Sequence, residues 1–182
     1  HSRPIPRVGG LPLLVTGWGL AALAAPDGPA LSAAFTLPLG LLMLIGGLDD
    51  RVGLAALPRA LAQFACAAPL AASWSMRLAE HAPDHLVFAL AGLLGVLAIL
   101  AVAWAINLYN FMDGSDALAG LMTTIGFGAL AMAHPDAPLG LVAACVAGAA
   151  LGFLVHNRPP ARVFLGDLGS TGGATVTAVH VE

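Results

Sequence analysis

Apolar residues fall in long unbroken blocks along this chain, not in alternation. Six blocks stand out: Gly9–Ala25, Ala30–Leu48, Leu54–Ala72, Leu86–Ile106, Leu118–Ala133 and Leu139–Val155. A seventh begins near Leu168 and runs into Glu182. A spanning helix needs about 20 apolar residues, within roughly 17–25. Continuous blocks of that length read as helices, because a membrane strand would alternate and lipid leaves no other way to satisfy the backbone. The pattern predicts an all-α fold, a polytopic transmembrane helical bundle of about six complete spans plus a truncated seventh. It predicts a single integral membrane domain over 1–182, trimmed at both its N- and C-terminal ends from a larger bundle.

The breaks between blocks sort into two sets. Pro26-Asp27-Gly28-Pro29 reads as a tight turn that folds the first two blocks into a helical hairpin. Ser73–His85 reads as a longer connection, and His134-Pro135-Asp136 as another short turn. These alternate with His1–Arg7, Asp49–Arg51, Asn110–Asp116 and His156–Asp167. Successive spans reverse direction, so the second set shares one face of the membrane. Arginine points the same way. Arg3, Arg7, Arg51, Arg59, Arg158 and Arg162 map to that face or its edge, and only Arg77 to the other. Cytoplasmic loops carry the excess of cations, so this face is expected to be cytoplasmic.

Composition supports the lipid reading. Of 182 residues, 59% are hydrophobic and 9% charged, against about 25% charged in soluble domains. The net charge of −3 excludes a generally basic nucleic-acid binder. Cys66 and Cys145 sit within apolar blocks and read as small buried hydrophobes.

The polar breaks of the shared face carry the candidate chemistry. In His1–Gly10, prolines hold the chain extended and a glycine pair permits close backbone approach. Arg3 and Arg7 there suit phosphate or carboxylate, or serve simply as a positive-inside anchor. Asp49 and Asp50 end the second block. Neighbours on a helix point about 100° apart, so one can face the bundle interior and the other the headgroups. Paired acids suit Mg²⁺, although a solvated helix end with Asp50 on Arg51 fits as well. Asn107–Asp116 brings two asparagines together with Asp113 and Asp116, which share a face if helical. The plainer reading makes Asp116 an N-cap. In Asn157–Ser170, Asp167 lies between Gly166 and Gly169 at an expected helix start, where N–H groups and a hydroxyl can join an anion site. Five acids beside several arginines describe a nucleotide–metal site at a membrane surface.

Four segments, HSRPIPRVGG, GGLDDRVGL, NLYNFMDGSDALAG and NRPPARVFLGDLGS, resemble in order the motifs of the polyprenyl-phosphate N-acetylhexosamine-1-phosphate transferases, or glycosyl transferase family 4. The resemblance implies transfer of an N-acetylhexosamine 1-phosphate from a UDP-sugar to undecaprenyl (polyprenyl) phosphate. UMP leaves, and the lipid-linked sugar diphosphate serves cell-envelope polysaccharide synthesis at the bacterial cytoplasmic membrane. It implies Mg²⁺, with Mn²⁺ as an alternative. It makes Asp167 the foremost metal ligand, with Asp113 beside it. Asp113 and Asp116 serve metal or nucleotide, and Asp49 and Asp50 the lipid phosphate or a base role. Asn110, Asn157, Arg59, Arg3, Arg7, Gly166 and Ser170 are the expected substrate-binding residues. Expected partners are the UDP-N-acetylhexosamine, the polyprenyl phosphate and the bilayer, with no nucleic acid; a homodimer is compatible.

Two departures stand out. Ala117 replaces the glycine the family usually carries after its second aspartate. The family's later histidine-rich loop is not reached before Glu182, and His180 does not match it, so the chain is expected to hold most of the site and not all of it. Three rival readings follow from the same residues. A transporter would place acids near the bilayer midplane. A CDP-alcohol phosphotransferase would share Asp113-Gly114 and Ala117, but needs acids that Leu118–Ala133 lacks. A non-catalytic paralogue would keep the motifs without the reaction.

Overall fold

A computed structural model describes residues 5–24, 33–80 and 85–170. Its elements are α1 (Gly10–Ala24), α2 (Ala33–Val52), α3 (Ala56–Glu80), α4 (His85–Met112), α5 (Leu118–Ala133) and α6 (Pro138–Asn157). A further helical turn occupies 166–170. No strand occurs among the described residues, so the all-α expectation holds there. Arg3 and the Pro26–Pro29 turn lie outside them, as does the seventh block beyond Ser170.

Helix boundaries differ from the apolar blocks for a physical reason. Hydropathy marks where lipid can be tolerated, whereas a helix continues until its backbone is broken. α3 therefore runs on to Glu80 through the stretch expected to be a connection. α4 runs six residues past Ile106, so Asn107–Met112 is helix and not loop. α2 extends through Asp49 and Asp50 and ends where Gly53 turns to φ +67°.

The helices pack as α3 on α4, α5 on α6 and α1 on α6, with α2 against α3. α1 has α6 and not α2 as its main neighbour, which corrects the expected hairpin. An apolar groove of about 660 Å³, lined by Val8, Leu11, Met43, Leu44 and Leu48, lies between α1 and α2, with Arg7, Asp50 and Arg51 at its polar end. The core joins Leu39, Phe127, Ala143 and Val146 in one cluster and Leu13, Leu14, Ala150, Phe153 and Leu165 in another.

Two helical segments, Ala89–Met112 and Pro138–Asn157, are long and apolar enough to cross a membrane. α1 and α5 are apolar but shorter, at 15 and 16 residues. The count of six spans is thus met by fewer helices of full length. Large apolar side chains nevertheless face outward over much of the molecule, Leu23 at 81% exposure and Phe111 at 84% among them.

Candidate active site

All four polar segments of the expected face meet at one end of the bundle. The chain before α1 runs extended beside 163–165. Phe164 N–H donates to Pro6 O at 3.0 Å, Gly9 N–H to Phe164 O at 2.9 Å and Gly10 N–H to Leu165 O at 2.9 Å. Gly10 then sits directly on Gly169, so closely that a Cβ on either would overlap the other's backbone. The glycine pairs permit this approach, as their small size suggests.

Carboxylates hold the segment 161–168 from the opposite side. Asp113 Oδ1 accepts the Leu165 N–H at 2.9 Å and its Oδ2 the Gly166 N–H at 2.8 Å. Asp50 Oδ1 accepts the Asp167 N–H at 3.0 Å and its Oδ2 the Leu168 N–H at 3.1 Å. Asp116 Oδ2 accepts the Ala161 N–H at 3.1 Å. A carboxylate on the exposed N–H groups of a first helical turn is a favourable charge–dipole arrangement. Gly166 has φ +75°, and a side chain there would strike Arg7 O and Asp50 Oδ2. Its place in the site is therefore a backbone requirement.

Asp50 thus turns inward, against the expectation that one of the pair faces the headgroups. Asp116 caps no helix: the α5 N-cap is Ala117, with no side-chain cap bond. Asp113 and Asp116 lie in a turn and not on a helical face, yet both reach the same segment. Asn157, wholly buried, is a brace. Its Nδ2 donates to Val163 O at 2.9 Å, and its backbone O accepts the Ala117 N–H at 2.9 Å.

The remaining pair of acids forms the reactive-looking part. Asp49, 8% exposed, accepts from Arg59 Nη1 at 2.9 Å and from the Leu54 N–H at 2.5 Å. The same Arg59 nitrogen lies 3.9 Å from Asp167 Oδ2. Arg59 is on the first turn of α3, so α2, α3 and the 166–170 turn converge on one guanidinium. Asn110 joins through Ser170, whose Oγ donates to Asn110 Oδ1 at 2.9 Å.

Electrostatics separate the acids. Burial first, then its hydrogen bond with Asp49 and the charges of Asp49 and Asp50, together push the Asp167 carboxyl up to about 6, against a hydrogen bond from Asn110 that lowers it. Burial also pushes Asp113 above the usual carboxylate range, against its two backbone N–H partners and the nearby Arg7. Like charges close together disfavour joint ionisation, which a cation would relieve.

Two cavities adjoin this cluster. One of about 10 Å³ is bounded by Asp49, Arg59, Gln63, Asn107, Asn110 and Asp167. That is room for about one water-sized body. The other, about 390 Å³, shares Arg59, Asn110 and Asp167 and adds Arg7, Asp113 and Gly166. No group of three or more His, Cys, Asp or Glu converges as a ready cage among the described residues. Mg²⁺ does not ask for one. It commonly takes one or two carboxylates and keeps waters and substrate phosphates as its other ligands. The Asp49–Asp167 pair with a water-sized space fits that chemistry.

Gln63 was not singled out from the sequence. A signal existed: Arg59 and Gln63 are the only non-apolar side chains apart from proline in the Leu54–Ala72 block, spaced i, i+4 on one helical face.

The motifs, their convergence and the acid–arginine cluster agree with the family comparison. The family model for glycosyl transferase family 4 matches residues 32–181. The chain belongs to glycosyl transferase family 4. Among curated relatives, it is 34% identical to the decaprenyl-phosphate N-acetylglucosaminephosphotransferase of Mycolicibacterium smegmatis, with 98% of this chain and 51% of the relative aligned. It is 36% identical to the phospho-N-acetylmuramoyl-pentapeptide-transferase of a Synechococcus species, over 96% of this chain and 53% of the relative. The chain spans about half the length of these relatives.

Proposed function

We propose that this chain carries the phosphate-transfer centre of a membrane enzyme that moves an N-acetylhexosamine 1-phosphate from a UDP-sugar to a polyprenyl phosphate. The observation that carries this reading is the junction of Asp49, Asp167 and Arg59 beside a water-sized cavity and a larger polar cleft. Bringing one phosphate onto another requires that negative charge be neutralised and the two groups aligned. Asp167 and Asp49 would hold Mg²⁺, which supplies that neutralisation when bound. Arg59, 37% exposed, would hold a phosphate oxygen at the cleft while it keeps Asp49 in place. Asp50, Asp113 and Asp116 fix the segment that carries Asp167. The two relatives, a decaprenyl-phosphate N-acetylglucosaminephosphotransferase and a phospho-N-acetylmuramoyl-pentapeptide-transferase, support the substrate classes.

A bilayer around the helices would account for the outward apolar side chains, and the arginine distribution supports a cytoplasmic acid end. The apolar groove between α1 and α2, ending at Arg7 and Arg51, opens beside the same acids.

Membranes holding the full-length protein would be given labelled UDP-N-acetylglucosamine, undecaprenyl phosphate and Mg²⁺. A labelled lipid product is expected, and Asp167→Asn should abolish it. No product with several UDP-sugars would overturn the reading.

A further inference from the structure

The turn that carries Asp167 is wedged between α1 and α2. Gly10 of α1 stacks on the Gly169 backbone, and a Cβ on Gly46 of α2 would overlap the Asp167 carbonyl. The wedge holds the two helices apart, and the apolar groove of about 660 Å³ opens between them. Leu165 and Leu168, on either side of Asp167 in the chain, form part of its wall. The backbone contacts that place Asp167 therefore also set the groove in register with the acid cluster. Val8, Leu11, Leu44 and Leu48 line the groove with side chains between 40% and 64% exposed.

The polar end of the groove has a definite charge. Asp50 spends both oxygens on the Asp167 and Leu168 N–H groups. Arg7 and Arg51 stand at the same end, and neither makes an ion pair among the described residues. Two arginines against one acid leave that end positive. Arg7 also lines the polar cleft of about 390 Å³ with Arg59 and Asp167, so groove and cleft meet at one residue. An occupant that suits both has an apolar chain and an anionic head. A phosphate monoester carries about −1.5 to −2 charge at neutral pH, which suits two arginines better than the single charge of a phospholipid diester.

We propose that the α1–α2 groove seats the chain of the polyprenyl phosphate acceptor, laid along α2 from Gly40 to Leu48, with its phosphate on Arg7 and Arg51 and turned into the cleft beside Asp167. This rests on the transferase reading under Proposed function. Gly40 lies ten residues before Asp50 on α2, about 15 Å along the helix axis. The groove thus holds the stretch of chain next to the head group. An apolar tail gains little by leaving a bilayer, because lipid is as apolar as leucine. What the groove supplies is orientation: it delivers the head to the cleft in one direction.

The test uses full-length protein in nanodiscs. Gly40 lines the groove, and a Cβ on it would meet nothing within 4 Å. Gly40→Leu therefore fills the groove without striking the protein, and it replaces a weak helix former by a strong one. It should lower kcat/KM for polyprenyl phosphate by about 10–100-fold, the cost of a misplaced head group. The KM for the UDP-sugar should not change, and the thermal midpoint should hold or rise. Gly126→Leu, the same change at an open position on α5, should leave the acceptor kinetics at wild-type values. A polyprenyl phosphate with a photoreactive diazirine near its head should label Leu11, Met43 or Leu44 of the wild type. Unlabelled polyprenyl phosphate should displace it, and phosphatidylglycerol should not. Acceptor kinetics indifferent to Gly40→Leu, labelling confined to other helices, or equal displacement by phosphatidylglycerol overturns the proposal; wild-type labelling decides should the variant fail to fold. Labelling needs no transfer, so the two readings fail separately. Transfer with an unlabelled groove overturns this proposal alone, and a labelled groove without transfer overturns the transferase reading alone.

Discussion

Asp50 holds the first turn of the helix that carries Asp167: its Oδ1 accepts the Asp167 N–H at 3.0 Å while its Oδ2 takes the next N–H along. Asp50→Asn keeps one acceptor and sets an NH₂ group against the other N–H. Asp167 should shift as a result, and misplacement by about 1 Å costs on the order of 100-fold in rate. A loss of that size in kcat that raising the pH does not restore is the expected outcome. Recovery at high pH would instead mark Asp50 as a proton acceptor.

The raised Asp167 pKa of about 6 sets a pH dependence with a defined sign. An acid whose folded pKa exceeds its unfolded value of about 3.9 holds more protons folded than unfolded between the two. Its contribution to stability is therefore full below the unfolded pKa and is lost as pH rises towards 6. Metal-free protein should show a falling thermal midpoint across this window. Asp167→Asn should flatten that slope.

A cation competes with the same proton. Mn²⁺ affinity should fall as the pH drops below about 6, approaching tenfold per pH unit while one proton is displaced. Titrations by electron paramagnetic resonance at pH 5, 6 and 7 would show it. A pH-independent affinity would separate the cation from Asp167.

Ala117 occupies φ +63°, ψ −15°, a left-handed conformation unusual for a side chain with a Cβ. Such a conformation costs about 1–2 kcal/mol in a non-glycine residue. Glycine gives back part of that gain through its greater freedom when unfolded. Ala117→Gly should stabilise by about 0.5–1 kcal/mol, read as a raised thermal midpoint. Ala117→Val should lower it.

Gly10 and Gly169 stack backbone on backbone at the foot of α1. Gly10→Ala should force α1 away from the 163–170 segment. Overpacking of this kind costs about 1–3 kcal/mol. The helices remain folded, but transfer activity should fall further than the thermal midpoint suggests, because Asp167 is on the displaced turn.

Much of this arrangement is legible in the sequence. The apolar blocks mark six helices, and their parity brings Arg7, Asp49, Asp113 and Asp167 to one end. What parity cannot supply is direction at the level of single bonds. Asp49 and Asp50 are adjacent and chemically identical, yet one meets a guanidinium and the other two backbone N–H groups. That division depends on where α3 and the 166–170 turn arrive, which is a long-range fact. The α1–α2 hairpin failed for the same reason: short loops favour neighbours, but the glycine contact at Gly169 ties α1 to the far end of the chain. Gln63 escaped notice because a lone amide in an apolar block carries no motif, and its place on the wall of the small cavity depends on how α2, α3 and α4 meet.

The carboxylates of Asp50, Asp113 and Asp116 grip the 161–168 segment by its main chain alone. A main-chain grip is indifferent to side-chain identity. Arg162, which is exposed, can therefore be exchanged without disturbing where Asp167 sits, whereas Val163 packs on the core beside Leu13 and Phe153.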